Sequence, residues 1–311
     1  MTGTKRDAFL WGYSRSVATA LFFRFGTRWV SGMREEGYIH QSHLRTNGVL
    51  SGYLIEKHMN QVIIMAGGKG TRMNMTDKPK TMIPVAGKPI VEHIVEAAER
   101  AVPETKPVII IGFKGEKIAE HFDLRVTCVE QREQLGTGHA VACAAPLFRD
   151  RPDIGHIVVV CGDQPLISSE TIRTVLEHHE KQGETITLGT IVVPDFTGIH
   201  EHMLHYGRIV RNPEGNVERI VEYKDATEEE RDIREVNPSV YCFESSWLWE
   251  HIDRLGSENA SQEFYITDLI GMAMKEGKTI CAIPLADPLE GLNVNTPDHL
   301  VAIESVFSER L

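Results

Sequence analysis

The segment AGGKGTRM at residues 66–73 puts three glycines among basic residues directly after the apolar run Val62–Met65. KPKTMIPVAGKPI follows at residues 78–90. Gly67, Gly68 and Gly70 remove side chains and permit unusual backbone angles, so amide N–H groups can approach a polyphosphate closely. Lys69, Arg72 and Lys80 are then available to offset its charge. The order is neither that of the P-loop nor that of the dinucleotide GxGxxG fingerprint. Glycines alone would serve as well in a turn with solvated basic neighbours. It is their combination with Arg72, Pro79 and Lys80 that favours a phosphate site.

Cys161-Gly162-Asp163 closes a second apolar run, Ile157–Cys161, and so places Asp163 at the carboxyl end of a strand, where open α/β sheets bind ligands. A carboxylate there can hold Mg²⁺, although taken alone Asp163 also suits a cap or a turn before Pro165. Gln131 with LGTG at 135–138 reads, in isolation, as a surface glutamine and a helix N-cap at Thr137. Asn293 alone is a loop residue. His200, His202 and His205 crowd into IHEHMLH at 199–205, but only Glu201 is near enough in sequence to help complete a tetrahedral zinc set, so an exposed loop is the better reading. His93, His178 and His179 read as helix residues, and Thr227–Asp232 as a solvated acidic helix face or turn.

Elements that could position these residues are legible from Gln61 onward. Short apolar runs alternate with helical patterns, which predicts a doubly wound, Rossmann-like α/β fold around a mainly parallel sheet. Buried strands are expected at Val62–Met65, Val108–Ile111, Val126–Val129, Ile157–Cys161 and Ile186–Val193, with helices at Ile90–Ala101, Gly115–Phe122, Gly138–Ala145 and Ser169–Lys181. After Asp195 a smaller mixed region is expected. Tyr206–Arg211 and Val217–Tyr223 flank a turn at 212–216, and Val236–Phe243 supplies another strand. Helices at Trp247–Leu255 and Ile266–Lys275, a strand at Ile280–Pro284 and a last helix opened by Thr296-Pro297-Asp298 complete the pattern.

With 311 residues, 41% of them hydrophobic, the chain can bury one large core or two that share a boundary. Its net charge of −11 argues against a surface that coats nucleic acid, whereas a small anion needs only a local basic pocket. Five widely spaced cysteines fit free thiols in a reducing cytoplasm. No apolar run approaches the ~20 residues that span a bilayer. Residues 1–58 carry eight Lys/Arg against four Asp/Glu, a net +4, which leaves −15 for residues 59–311. They are expected to form a poorly ordered extension, with a short docking helix as the competing reading. Residues 59–311 then divide into the doubly wound half at about 59–195, the smaller mixed part at about 196–295 and a C-terminal helix at 296–311.

GGKGTRM…KPK resembles the signature of the sugar-1-phosphate nucleotidyltransferases. QREQLGTGHA at 131–140, VEYKDAT at 221–227, QEFYITD at 262–268 and EGLNVNT at 290–296 are similar to the uridylyltransferase half of bacterial N-acetylglucosamine-1-phosphate uridylyltransferases. The resemblance spans roughly residues 59–309. It implies that Ala66, Gly67, Gly68 and Gly70 cradle the nucleotide, that Arg72 and Lys80 stabilise the transferred phosphoryl group, and that Gln131, Gly136 and Thr137 meet the nucleobase. It further implies Mg²⁺ between Asp163 and Asn293, and a sugar held by Gly207, Glu222 and Asn237. UTP and N-acetylglucosamine 1-phosphate are the substrates it implies, in a cytoplasmic enzyme without the hexapeptide-repeat acetyltransferase domain of the family's bifunctional members.

Two departures bear on the sugar. The family pattern Asn-Thr-Gly is here Asn237-Pro238-Ser239, and IHEHMLH stands as an insertion before Tyr206-Gly207-Arg208. A glucose-1-phosphate or other hexose-1-phosphate uridylyl- or thymidylyltransferase is therefore the alternative within the class, and a non-catalytic sugar-nucleotide sensor the alternative outside it. The sequence leaves oligomeric state open.

Overall fold

In the computed structural model, residues 58–68, 70, 73 and 77–310 are described, together with the backbone of residues 20–25 and 28–33. The chain divides into two units, residues 1–56 and 57–311. In the first, β1 (Ala20–Phe25) and β2 (Arg28–Met33) pair antiparallel with Ala20 opposite Met33. The expected poor order of residues 1–58 otherwise lies outside the described residues, as do Lys69 and Arg72.

The second unit opens with β3 (Met59–Met65), an apolar strand buried on both faces. β4 (Pro84–Val85) and β5 (Lys88–Pro89) form a small hairpin that leads into α1 (Ile90–Ala101). Then come β6 (Val108–Ile111), α2 (Glu116–Phe122), β7 (Thr127–Glu130), α3 (Thr137–Ala142), α4 (Ala145–Phe148), β8 (Ile154–Cys161), α5 (Ser169–Gln182) and β9 (Ile186–Val192). β3 lies between β6 and β8, parallel to both, and β7 continues the parallel row beyond β6.

The later chain completes the sheet. β10 (Arg208–Arg211) and β11 (Val217–Val221) form a hairpin; α6 (Glu228–Arg231) and β12 (Glu235–Val236) follow. β13 (Tyr241–Glu244) inserts antiparallel between β8 and β9. After α7 (Ser245–His251) and α8 (Asp268–Lys275), β14 (Ile280–Pro284) adds in parallel to β9, and α9 (Pro297–Glu309) closes the chain. Strand alternation builds a core on each face. Ile157 and Val159 of β8 face the side covered by α3, α7 and α8, while Val158 and Val160 face α1 and α5.

The mainly parallel α/β arrangement matches expectation, and three local readings change. Val236–Phe243 is two strands, because Pro238 can donate no ladder hydrogen bond and Ser239 takes φ 60°. The expected helix at Gly138–Ala145 is two short helices, α3 and α4. The supposed exposed loop at 199–205 is instead mostly a 3-10 helix, Gly198–Met203, whose Met203 is fully buried in a third apolar cluster with Leu292 and Val294.

Candidate active site

The carboxyl ends of β3, β7 and β8 converge on a cleft of about 270 Å³ lined by Ala66, Gly67, Gly68, Lys80, Gln131, Gly136, Thr137 and Asp163 among others. These are the ends to which a parallel sheet directs its ligands. Close packing of side chains against the loop explains Gly67 and Gly70, whereas a Cβ at Gly68 would meet nothing within 4 Å. A Cβ at Gly67 would lie 2.7 Å from Gln131 Oε1, and one at Gly70, which has φ 61°, would lie 2.7 Å from Lys80 Cβ. The Gly67 carbonyl in turn accepts from Gln134 Nε2 at 2.5 Å. Gln134, inside the QREQLGTGHA motif but given no role there, and Gly112, a lone glycine after β6 outside every motif, also belong to the cradle.

Gln131 is buried and donates from Nε2 to the Gly136 carbonyl at 3.1 Å. Gly136, with φ 111°, is the N-cap of α3; a Cβ there would meet the Phe264 carbonyl at 2.6 Å. Thr137 therefore does not act as the cap. Its hydroxyl accepts from Ile266 N at 3.1 Å, while Phe264 O accepts from Gly138 N at 2.8 Å. These bonds lace the LGTG turn to the QEFYITD segment.

Across the cleft, Lys80 Nζ donates to Asp163 Oδ2 at 2.6 Å and to Asn295 Oδ1 at 2.8 Å, and Lys80 is only 8% exposed. Burial without partners would be costly for an ammonium, so the pair fixes its position. Asp163 O accepts from Val294 N at 2.9 Å, which brings the segment carrying Asn293 beside Asp163 although the two are far apart in sequence. Asn293 Oδ1 is buried and has no hydrogen-bond partner among the described residues. An unpaired amide oxygen on the segment tied to the strand end of Asp163 gives, with that carboxylate, a donor set whose chemistry fits a hard, oxygen-seeking ion such as Mg²⁺. His299 Nδ1 donates to the Asn293 carbonyl at 3.0 Å, and Tyr206 OH donates to the Gly291 carbonyl at 2.6 Å. Gln164, also buried, spans two segments: its Nε2 donates to Pro238 O at 2.8 Å and Gly291 O at 3.1 Å.

Gly207, Glu222 and Asn237 come together on the hairpin side. Asn237 N donates to Gly207 O at 2.9 Å, and a Cβ on Gly207 would stand 3.5 Å from Glu222 Oε1. Glu222 accepts from Thr267 Oγ1 at 3.1 Å, and burial raises its carboxyl above the ordinary range. Asn237 donates from Nδ2 to Tyr241 OH at 2.6 Å, and its Oδ1 accepts from Ser239 N at 3.0 Å. Cys161 lies on the cleft wall; burial, then the Asp163 charge, push its thiol up to about 12, so it is no nucleophile near neutral pH. Beneath this region Arg208 is fully buried. It donates to the carbonyls of Leu204, Tyr206 and Arg231 and lies over the Phe196 and Tyr223 rings.

The three histidines of the insertion diverge. His200 is 4.0 Å from Asp195, His202 stacks on His299 with ring centroids 4.0 Å apart, and His205 meets Tyr223 edge-on. The acidic run forms α6, where Thr227 and Glu230 make a reciprocal capping box.

A glycine cradle at the carboxyl edge of a doubly wound sheet, faced by a buried lysine paired with a half-buried aspartate, defines a nucleotidyltransferase. The chain belongs to the family of MobA-like NTP transferase domains, whose model matches residues 62–235. It is 43% identical over 251 residues to the bifunctional protein GlmU of Geobacter metallireducens, a match covering 80% of this chain and 50% of that protein. With the bifunctional protein GlmU of Geobacillus thermodenitrificans it shares 38% identity over 249 residues, 80% of this chain and 52% of that one. The chain thus spans about half the length of these relatives. Its fold is shared with UDP-glucose pyrophosphorylase complexed with UDP-glucose, at TM-score 0.66 and 18% identity over 81% of this chain and 100% of that one. A putative glucose-1-phosphate thymidylyltransferase from Bacillus anthracis shares it at TM-score 0.62 and 19% identity, over 79% and 94%. The resemblance read from the motifs is borne out at the level of family and fold. Among the described residues, no helix is long and apolar enough to cross a membrane.

Proposed function

We propose that the protein is a sugar-1-phosphate nucleotidyltransferase that joins UTP to N-acetylglucosamine 1-phosphate, giving UDP-N-acetylglucosamine and pyrophosphate. The observation that carries this reading is the Lys80 ammonium held between Asp163 and Asn295 beside the glycine cradle, with the Asn293 amide oxygen buried and unpaired on the segment that Val294 ties to Asp163. The attacking sugar phosphate is already an anion, so the reaction needs no protein nucleophile. What it needs is two anions aligned and their repulsion offset.

Gly67, Gly68 and Gly70 let the backbone close on the triphosphate. Lys80, with Arg72 from the glycine motif, neutralises charge at the transferred phosphoryl group. Asp163 and Asn293 would hold Mg²⁺, which when bound adds positive charge shared by the phosphate oxygens. Gln131 and the Gly136-Thr137 turn form the base side of the cleft, and Gly207, Glu222 and Asn237 the sugar side.

Pro238 favours one other reading. It removes a backbone donor beside Asn237, so a hexose 1-phosphate that does not need this donor is the alternative acceptor. Retention of Lys80, Asp163 and Asn293 in one cluster weighs against a non-catalytic sensor, which would not need the set. Pyrophosphate release measured with purified protein, Mg²⁺ and a panel of nucleoside triphosphates and sugar 1-phosphates tests the proposal. Turnover with UTP and N-acetylglucosamine 1-phosphate at least tenfold above every other pair is expected; preference for another pair overturns the substrate assignment.

A further inference from the structure

Two claims fall on one carboxylate. Asp163 Oδ2 already accepts from Lys80 Nζ at 2.6 Å, and Asp163 is also the residue read above as a cation ligand. An ammonium and a divalent ion on the same carboxylate repel each other, and the repulsion is strong where water is scarce. Lys80 cannot simply swing into solvent, because it is 8% exposed and its stem packs under Gly70. Its second acceptor, Asn295 Oδ1 at 2.8 Å, is neutral.

We propose that Asn295 is a positioning residue that retains the Lys80 ammonium in the cleft when the cation engages Asp163. The inference rests on the reading of Asp163 as a metal ligand. Asn293-Val294-Asn295 is suited to the exchange. Val294 is fully buried and donates its N–H to Asp163 O at 2.9 Å, which pins the run to the strand end that carries Asp163. The asparagine before it offers an unpaired oxygen, and the one after it holds the lysine. One short run thereby sorts two cations onto separate oxygens. If Asn295 loses its acceptor, Lys80 falls back wholly on Asp163 and opposes the ion.

The test is Mn²⁺ binding, read from the electron paramagnetic resonance of the free ion, to the substrate-free full chain. Removing the competing charge in Lys80→Met should tighten Mn²⁺ binding on the order of tenfold. Asn295→Ala should weaken it by roughly three- to tenfold, and the effect should vanish in the Lys80→Met background, because it acts through the lysine. Asn295→Asp keeps an acceptor and should bind Mn²⁺ no more weakly than the wild type. Weakening by Asn295→Ala that persists without Lys80 overturns the inference, as does equal affinity of the wild type and Asn295→Ala. Asp163→Ala that binds Mn²⁺ as the wild type does would instead overturn the reading of Asp163, and the inference with it.

Discussion

Gly67 and Gly112 stand back to back: a Cβ on Gly112 would fall 2.4 Å from the Gly67 carbonyl oxygen. No rotamer relieves a clash with backbone, so Gly112→Ala must push the nucleotide loop away from β6. A displacement of about 1 Å at a positioned phosphate can cost on the order of 10²-fold, and kcat/KM for the triphosphate should fall by that order. Steady-state kinetics on a variant that keeps its circular dichroism spectrum check this; a variant with wild-type kcat/KM would show that the loop tolerates the shift.

Charge at the transferred phosphate should matter more to turnover than to folding. Lys80→Ala and Arg72→Ala are each expected to lose on the order of 10²-fold or more in kcat. Lys80→Ala also leaves Asp163 without its partner, so its melting temperature should drop while that of Arg72→Ala changes less. Near-normal kcat in both variants would remove them from the mechanism.

Asp163→Asn keeps the size of the side chain and removes its charge, so the Mg²⁺ concentration for half-maximal rate should rise roughly tenfold or more. Asn293→Ala removes one neutral oxygen, and its smaller defect should be partly recovered at high Mg²⁺. If both residues hold one ion, their effects are non-additive in a double-mutant cycle. Strict additivity with unchanged Mg²⁺ dependence would assign them to different tasks.

Acid stability has an identifiable contributor in His179, 1% exposed on α5 against Thr187 of β9. Burial, then the neighbouring His156, hold its pKa down at about 3, against 6.5 for the free group. The unfolded chain therefore binds the proton first. The stability that comes from keeping His179 neutral is complete above pH 6.5 and is lost as pH falls towards 3, by up to about 1.4 kcal/mol per pH unit. Urea unfolding between pH 7 and pH 4.5 should show a steeper decline for the wild type than for His179→Gln; parallel declines would exclude this histidine as a source.

Strands were legible because Val62–Met65, Val108–Ile111 and Ile157–Cys161 are apolar on both faces, as a covered parallel sheet requires. Of the residues with motif support, Ala66, Gly67, Gly68, Lys80, Gln131, Gly136, Thr137 and Asp163 line one cleft, while Gly207, Glu222 and Asn237 meet on the hairpin side. What escaped the sequence lacks a local pattern. Arg208 looks like any strand-edge arginine until its ring and carbonyl neighbours are seen. Met203 is hidden among histidines, yet its burial turns the insertion into a packed element. Pro238 announced a departure from the family pattern, but not that Ser239 would take a left-handed angle or that Gln164 would bind the proline carbonyl. Asn295 stood two residues from Asn293 in the same motif. Only a tertiary contact spanning 215 positions distinguishes it.

The lacing of Gly138 and Thr137 to Phe264 and Ile266 has a further consequence. Glu263 lines the cleft beside the Gly136-Thr137 turn, and Thr267, four residues on, donates to Glu222 on the hairpin side. Residues 263–267 are thus a party wall between two compartments, with hydrogen bonds on both sides. A substitution there cannot be private to one compartment: whatever shifts the wall for one occupant shifts it for the other.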